Sequence, residues 1–398
     1  MKIPDTIKKN WFLYFFILLL SLSVHILLFL KTGPCPSTDF HLIYMPAAAK
    51  IVGWLKGSGS FPYIPSYQLF HLGYILLAVV VFLFFGTGNL TALIAVQVLI
   101  SVPVFLFIFH ISLTCYHSRW VALIFTVISV SFFDNIMWAT WAVPDSFYRA
   151  LFVPSYFILP VLYYRRRFGA LALLGVISFI VLLSIRIETI ILILPLIWLT
   201  RRNIFHAMTV NKTVSIVAAM MLFAMGFILY GKIFDILRFI NIFYVEGLII
   251  SGTGQNVPGV TNLEPYNYDL ATDIYYNLGR FMKLFLLRLY YFFNVFPPFW
   301  SFAHRIYYAF YMLIFYLLAI AAIIRTWKER DYYFSMFVLL YLLMMLVQAL
   351  TFVDAEKRLI QSVLPFFIMF AGYGFDYVWQ KYVTDRRMPE AELVTQRL

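Results

Sequence analysis

Three carboxylates stand next to long apolar runs, where an ionisable side chain is costly unless it is paired or functional. Asp39 follows the first apolar run after one short loop, and Asp134 and Asp145 flank a later loop. Cations occur in loop stretches of the same kind: Arg280, Lys283, Arg288, Lys357 and Arg358. A carboxylate of this kind can accept a proton in catalysis, and the cations can bind and neutralise a phosphate group.

This combination fits a displacement in which the leaving group is a phosphate. Such a group leaves without a general acid, so arginine or lysine side chains need only bind and neutralise it. A single carboxylate then deprotonates an acceptor hydroxyl, which attacks an anomeric carbon. One displacement with one base inverts that carbon, as in inverting glycosidases. We therefore predict that Asp39 is the base.

Asp39 also has a purely structural interpretation. Aspartate is a preferred N-cap residue, and a helix is predicted to begin at Phe40, directly after it. The two interpretations differ in what the carboxylate does, and the stretch alone leaves both open.

Motifs for other chemistry are weak or missing. Gly252-Thr253-Gly254 follows no predicted strand and lacks the lysine of a phosphate-binding loop, so we predict a flexible loop there. The sequence has no histidine or cysteine spacing typical of a metal site. We predict that no metal and no cofactor is required; a divalent ion shared by the carboxylates is an unsupported alternative.

The composition places these residues in a membrane protein. Of 398 residues, 63% are hydrophobic and only 12% are charged, and apolar runs of about twenty residues recur. The net charge of +12 lies in short clusters between these runs, where lipid head groups and topology explain it and nucleic acid does not. We predict one all-α polytopic domain over 1–398 with about ten membrane spans. They lie near 11–30, 90–115, 120–138, 147–164, 168–185, 188–200, 213–233, 303–324, 332–352 and 359–378.

Basic clusters predict the topology, because lysine and arginine are enriched on the cytoplasmic side. The clusters are Lys8 and Lys9, residues 165–167, Arg201 and Arg202, residues 325–330, and Arg386 and Arg387. Five apolar runs lie between Lys9 and Arg165, although two cytoplasmic sites require an even number of crossings. We predict that the run 69–85 lies along or dips into the outer face; the alternative is that 120–138 fails to cross. The predicted outer loops are 31–89, 134–146, 235–302 and 353–358.

Two further predictions follow from this topology. The stretch from Ile274 to Val295 sets three cations among apolar and aromatic residues, which predicts an amphipathic helix in the outer interface. Cys35 and Cys115 fall on opposite sides of the membrane, so we predict no disulfide between them.

Four patches resemble one known family. They are Thr38-Asp39-Phe40 with Tyr44, Ala47-Ala48 and Tyr63; Ile64 to Tyr67 leading into Leu69 to Gly86; Trp138 to Phe147; and Arg358 to Phe366 with Gly372-Tyr373-Gly374. In order and position these patches resemble the GT-C superfamily of polyprenyl-phosphate-sugar-dependent glycosyltransferases. The nearest branches are the protein O-mannosyltransferases, the aminoarabinose transferases and the bacterial polyprenol-dependent mannosyltransferases. One departure is Phe40, where many relatives have a glutamate after the aspartate.

The resemblance implies a GT-C-like bundle with outer-face juxtamembrane helices, in a bacterial plasma (inner) membrane with the active site on the periplasmic face. It implies an inverting glycosyltransferase whose partners are a polyprenyl-phosphate sugar, a hydroxyl acceptor and membrane lipids. Catalysis is assigned to Asp39, supported by Asp145. Donor-phosphate binding is assigned to Arg358, Lys357, Arg280 and Arg288, and acceptor or sugar contacts to His41, Tyr44, Tyr63 and Trp141.

Two other classes remain open. An O-antigen-type polymerase or ligase is also an outer-face membrane enzyme, and it would use Arg280, Arg288 and His304. A lipid flippase or transporter would instead carry ionisable residues at mid-membrane and broken helices in repeated halves. The polar residues here cluster on one predicted face, which favours the enzyme.

Overall fold

The computed structural model of this chain describes residues 3–58, 71–164, 167–186, 269–297, 300–351 and 359–384, with single positions such as Lys357 between them. Within these ranges the chain is helical and contains no strand. One isolated bridge joins Cys35 to Trp141. The predicted all-α class is therefore confirmed for the described part of the chain.

Helices of very different length follow one another along the chain. In chain order they are α1 Ile3–Thr32, α2 Met45–Leu55, α3 Leu72–Phe85, α4 Leu90–Ser101, α5 Val104–Cys115, α6 Arg119–Ser131, α7 Phe133–Ile136, α8 Pro144–Tyr164, α9 Phe168–Leu183, α10 Leu270–Tyr276, α11 Leu278–Phe293, α12 Phe302–Glu329, α13 Tyr332–Thr351 and α14 Leu364–Trp379. A π-helical turn, Phe40–Tyr44, leads into α2. Single 3-10 turns, Met137–Thr140 and Leu359–Ser362, precede α8 and α14.

Four helical stretches among the described residues are long and apolar enough to cross a bilayer. They are Thr6–Thr32, Leu90–Cys115, which comprises α4 and α5, Phe302–Glu329 and Tyr333–Leu350. The chain is thus a membrane protein, and these four stretches coincide with predicted spans. The predicted spans 147–164 and 168–185 are the helices α8 and α9, whereas 188–200 and 213–233 fall largely or wholly outside the described residues.

The predicted span 120–138 consists of two helical segments with a bend between them. Helix α6 ends at Ser131, and the chain bends by 71° into the next helical segment. Phe132 has an extended backbone, and the Asn135 amide donates to the Ser129 carbonyl at 2.8 Å and its hydroxyl at 3.0 Å. A side chain that takes over a freed helical carbonyl is a common cause of such a break.

The chain divides into two compact units, one of residues Met1–Ile193, Ile314–Val338 and Gln361–Leu398, and one of Leu194–Leu313 and Leu339–Ile360. We call them unit 1 and unit 2. In unit 1, helix α6 begins beside Asp376, and the chain after α6 leads through α7 to the turn that pairs with Cys35. The two ends of unit 1 are therefore named the Arg325 end and the Cys35 end.

A buried ion network closes the Arg325 end. Asp376 accepts from the backbone N–H groups of His117 at 3.0 Å and Ser118 at 3.1 Å. It also accepts from the Arg325 guanidinium at 3.0 Å, and Arg325 reaches Glu329 at 3.0 Å. One carboxylate therefore holds together three chain segments that are far apart in sequence. One of them contains Arg325, which belongs to a basic cluster predicted to lie on the cytoplasmic side.

Close backbone contact explains the small-residue patch in α14. A Cβ built on Gly374 would lie 2.0 Å from the Leu318 carbonyl oxygen, and one built on Gly372 would lie 2.7 Å from the Phe125 ring. Only glycine allows α14 to approach α12 and α6 this closely. This spacing positions Asp376, one turn after Gly372, against the start of α6.

Helix α3 starts at the Cys35 end and leads away from the Arg325 end. The Gly73 N–H donates to the Ser184 carbonyl at 2.8 Å, and the Tyr74 hydroxyl donates to Gln97 at 2.9 Å. Asn89 lies eight residues before Gln97 at the start of helix α4. It is therefore about 12 Å farther from the Arg325 end than Gln97 is. The 14 residues of α3 span about 21 Å, less than a bilayer core. That the run 69–85 does not cross the membrane stays a prediction.

Candidate functional site

The helical stretch that carries Asp39 is capped by another residue. Ser37 precedes it, and the Ser37 hydroxyl accepts from the Phe40 N–H at 3.0 Å. Asp39 itself has helical backbone angles, φ −59° and ψ −36°, and its side chain makes no capping hydrogen bond. The capping interpretation of Asp39 is therefore wrong, since serine is an equally good cap and occupies that position. The Asp39 side chain is half-buried.

Three hydrogen bonds hold this loop against the turn after α7. The Cys35 N–H donates to the Thr140 carbonyl at 2.9 Å, and the Cys35 carbonyl accepts from Ala142 at 2.9 Å. The capping hydroxyl of Ser37 donates to the Ala142 carbonyl at 2.8 Å. The segment before Asp39 is thus tied to residues more than 100 positions later. Partial burial also raises the pKa of the Cys35 thiol.

Gln97 fixes the turn to the helices behind it. Its amide nitrogen lies 2.7 Å from the Trp141 carbonyl and 3.2 Å from the Ala139 carbonyl, and its amide oxygen accepts from Tyr74. The side chain is fully buried. One glutamine therefore connects α3, α4 and the 137–141 turn. The sequence does contain a signal for it, because a lone amide within an apolar run is expensive unless it has partners.

The residues that follow Asp39, together with Trp141 on the 137–141 turn, include buried and exposed side chains. Phe40 and Tyr44 belong to the hydrophobic core, and the Tyr44 ring packs edge-on against Tyr74 at 5.0 Å between centroids. His41 is exposed, and Trp141 keeps 38% of its surface. Tyr44 is only 1% exposed, and its contact with an acceptor or sugar stays a prediction.

Asp145 is a paired, buried carboxylate. It is 2% exposed and makes an ion pair with Arg186, whose guanidinium also lies over the Tyr148 ring at 5.9 Å. Thr189 accepts or donates a hydrogen bond at the Tyr148 hydroxyl, at 3.1 Å. A carboxylate held by a guanidinium favours its charged form and is a poor proton acceptor. Asp145 is thus held by Arg186 inside the protein, and its supporting role in catalysis stays a prediction.

Cations predicted to bind the donor phosphate lie in unit 2 and contact protein groups there. Arg280 makes an ion pair with the buried Asp273. Arg288 is fully buried and donates to the Leu350 carbonyl at 3.2 Å. The Lys357 ammonium donates to the carbonyls of Tyr291 and Phe292, the latter at 2.7 Å.

These contacts indicate what the three cations do in the fold. Lys357 occupies the last carbonyls of α11, a common way to cap a helix C-terminus. The predicted helix over 274–295 is two helices, α10 and α11, which meet at Asn277, and its location in the outer interface stays a prediction. Arg358 and Tyr63, the remaining predicted site residues, lie outside the described residues.

Comparison with protein-family models, with curated proteins and with solved structures finds no match.

Proposed function

We propose that this chain is an inverting glycosyltransferase that moves a sugar from a polyprenyl-phosphate donor to a hydroxyl acceptor on the outer face of the membrane. The Cys35 end of unit 1 is the proposed outer, periplasmic end, and the membrane is the bacterial plasma membrane. The supports are the chemistry of the carboxylates and cations and the resemblance of the four sequence patches to the GT-C superfamily.

The single observation that carries the proposal is the state of Asp39. Its carboxylate is half-buried, and it is not used to cap the helix that contains it, because Ser37 does so. The segment before it is anchored by three hydrogen bonds to the 140–142 turn. A proton acceptor needs this combination of a fixed backbone and a carboxylate that solvent or substrate can reach.

The other charges then take supporting roles. Asp145 and Arg186 form a buried pair at the same end of unit 1 and hold the start of α8 in place. Among the four cations assigned to the donor phosphate, Lys357 has its ammonium on two backbone carbonyls. We therefore place the main phosphate contact on Arg358, with Arg280 and Arg288 as further candidates.

A panel of polyprenyl-phosphate sugars tests the proposed reaction. Purified protein in lipid nanodiscs is incubated with each donor and with acceptors that carry a free hydroxyl, and the product's anomeric configuration is determined. We expect transfer from at least one monophosphate donor with inversion. Retention of configuration, or transfer from diphosphate-linked donors alone, would contradict the proposal, and the second result would favour the polymerase or ligase class.

A further inference from the structure

Among the buried polar atoms of unit 1 that make no hydrogen bond within the part of the chain that the structure describes, five belong to three side chains. They are Nε and Nη2 of Arg149, Oγ of Ser146, and Nε2 and Oε1 of Gln361. The exposed fractions of the three residues are 1%, 1% and 2%. Buried polar groups are almost always paired, because an unpaired one costs roughly 1–3 kcal/mol.

Helix registers place the three side chains at one level of unit 1. Ser146 and Arg149 are three residues apart on α8 and so share a face. The Phe152 and Phe366 rings lie 5.9 Å apart, and both helices run from the Cys35 end towards the Arg325 end. Gln361 lies five residues, or about 7.5 Å, before Phe366 along the chain. With Phe152 and Phe366 level with each other, Gln361 lies between Ser146 and Arg149 along the axis of α8.

A second helix pair gives the same level for Gln361. Helix α14 runs antiparallel to α6, since Asp376 contacts Ser118 and Gly372 lies against Phe125. Gln361 lies about three helical turns before Gly372. In this antiparallel arrangement it is therefore level with the break after α6. Arg149 reaches that break directly, because its Nη1 donates to the carbonyl oxygen of Asn135 and, at 3.1 Å, to the Asn135 side chain.

The donor and acceptor inventory selects the kind of ligand. Arg149 offers only donors, Ser146 offers a donor and an acceptor, and Gln361 offers both through its amide. An oxyanion only accepts and would leave the Gln361 oxygen unpaired, whereas hydroxyl groups both donate and accept. The charges at this level are balanced as well, with two buried carboxylates, Asp134 and Asp145, and two guanidiniums, Arg149 and Arg186. An uncharged ligand fits this balance.

We propose that Arg149, Ser146 and Gln361 form a binding site for adjacent hydroxyl groups of a carbohydrate. That these hydroxyls belong to a sugar rests on the proposed function. The sequence marks Arg149 as an ionisable residue in an apolar run, but it does not show that a serine and a glutamine from another helix complete a site with it.

Ligand-dependent thermal stability of the purified protein tests the site without measuring transfer. The probes are methyl glycosides of mannose, glucose and galactose, and inorganic phosphate. We expect a saturable rise in Tm with at least one glycoside and none with phosphate. Gln361→Met and Ser146→Ala should each weaken the apparent Kd for that glycoside by about fivefold, the effect of one lost hydrogen bond.

Gln348→Met is the matched control, because Gln348 is also a buried glutamine with an unpartnered amide nitrogen, but on α13 in unit 2. It should leave glycoside binding unchanged. Stabilisation by phosphate alone, or by no probe, would overturn the site, and the second result would assign the five atoms to internal water. Glycoside binding by a protein that transfers no sugar would overturn the transferase and leave this site standing.

Discussion

The two ends of unit 1 treat buried charge in opposite ways. At the Arg325 end, one fully buried carboxylate, Asp376, receives two backbone N–H groups and a guanidinium. At the Cys35 end, Asp39 is left out of the capping of its own helix, and Arg149 keeps two nitrogen atoms without a partner among the described residues. The first arrangement is complete in itself, whereas the Arg149 guanidinium at the Cys35 end has hydrogen-bonding capacity left for a ligand.

This difference shows where the fold is held and where chemistry is to be sought. A carboxylate with all its partners inside the protein stabilises the junction of helices and has little capacity left to react. In a membrane protein with so few charged residues, a buried charged side chain that lacks some of its hydrogen-bond partners marks a candidate functional site. The predictions that follow compare the two ends by removing one group at a time.

The largest effect on stability is expected at the Arg325 end. Asp376→Asn removes the buried charge that faces the Arg325 guanidinium and leaves the partly exposed Glu329 as its charged partner. Breaking a buried pair in this way costs about 3–5 kcal/mol. Equilibrium unfolding of the purified variant in detergent measures the loss. A variant as stable as the wild type would show that this end does not depend on the carboxylate.

A smaller effect is expected from the glutamine that holds the 137–141 turn. Gln97→Leu leaves the Trp141 carbonyl and the Tyr74 hydroxyl without their partner, which costs about 1–3 kcal/mol. The turn should loosen, and the adjacent Cys35 should react faster with maleimide. In the wild type this reaction should be slow, because burial raises the pKa of the Cys35 thiol and lowers its thiolate fraction.

The control for Gln97→Leu uses the second cysteine. Cys115, which is also free, lies next to the Arg325 end, and its labelling rate should not change. Equal acceleration at both cysteines would mean general unfolding and would contradict a local role for Gln97.

The smallest effect is expected for the exposed partner of Arg325. Glu329 is partly in solvent, with 44% of its side chain exposed, and it lies four residues from Arg325 on α12. Exposed ion pairs contribute about 0–1 kcal/mol, so Glu329→Gln should change the free energy of unfolding by less than about 1 kcal/mol. A loss as large as that of Asp376→Asn would refute the contrast drawn between the buried and the exposed member of this network.

Some of this organisation could be predicted from the sequence, for physical reasons. Apolar runs of span length predict helices α1, α12 and α13, because the bilayer leaves few alternatives to a helix. The break after Ser131 could not be predicted, since it depends on the Asn135 amide reaching back to a backbone carbonyl. A window of hydropathy contains no information on that hydrogen bond.

The site shows the same limit. Asp39 and Asp145 are both predictable as carboxylates beside apolar runs, yet their roles depend on partners. Arg186 follows Asp145 by 41 positions, and only the α8–α9 hairpin brings them together. The sequence suggests Asp39 as a helix cap, but in the structure Ser37, two residues earlier, makes the capping hydrogen bond.

The most direct test of the account is the turnover of Asp39→Asn, measured beside Asp269→Asn. Asp269 is a true N-cap, since its side chain accepts from the Ala271 N–H at 2.7 Å, and asparagine caps as well as aspartate. We predict that Asp39→Asn keeps wild-type thermal stability and donor binding but loses about 10²–10⁴ in the rate of sugar transfer, the usual loss for a general base. Asp269→Asn should keep stability, binding and rate. Sugar transfer by Asp39→Asn at the wild-type rate would contradict the assignment of Asp39 as the base.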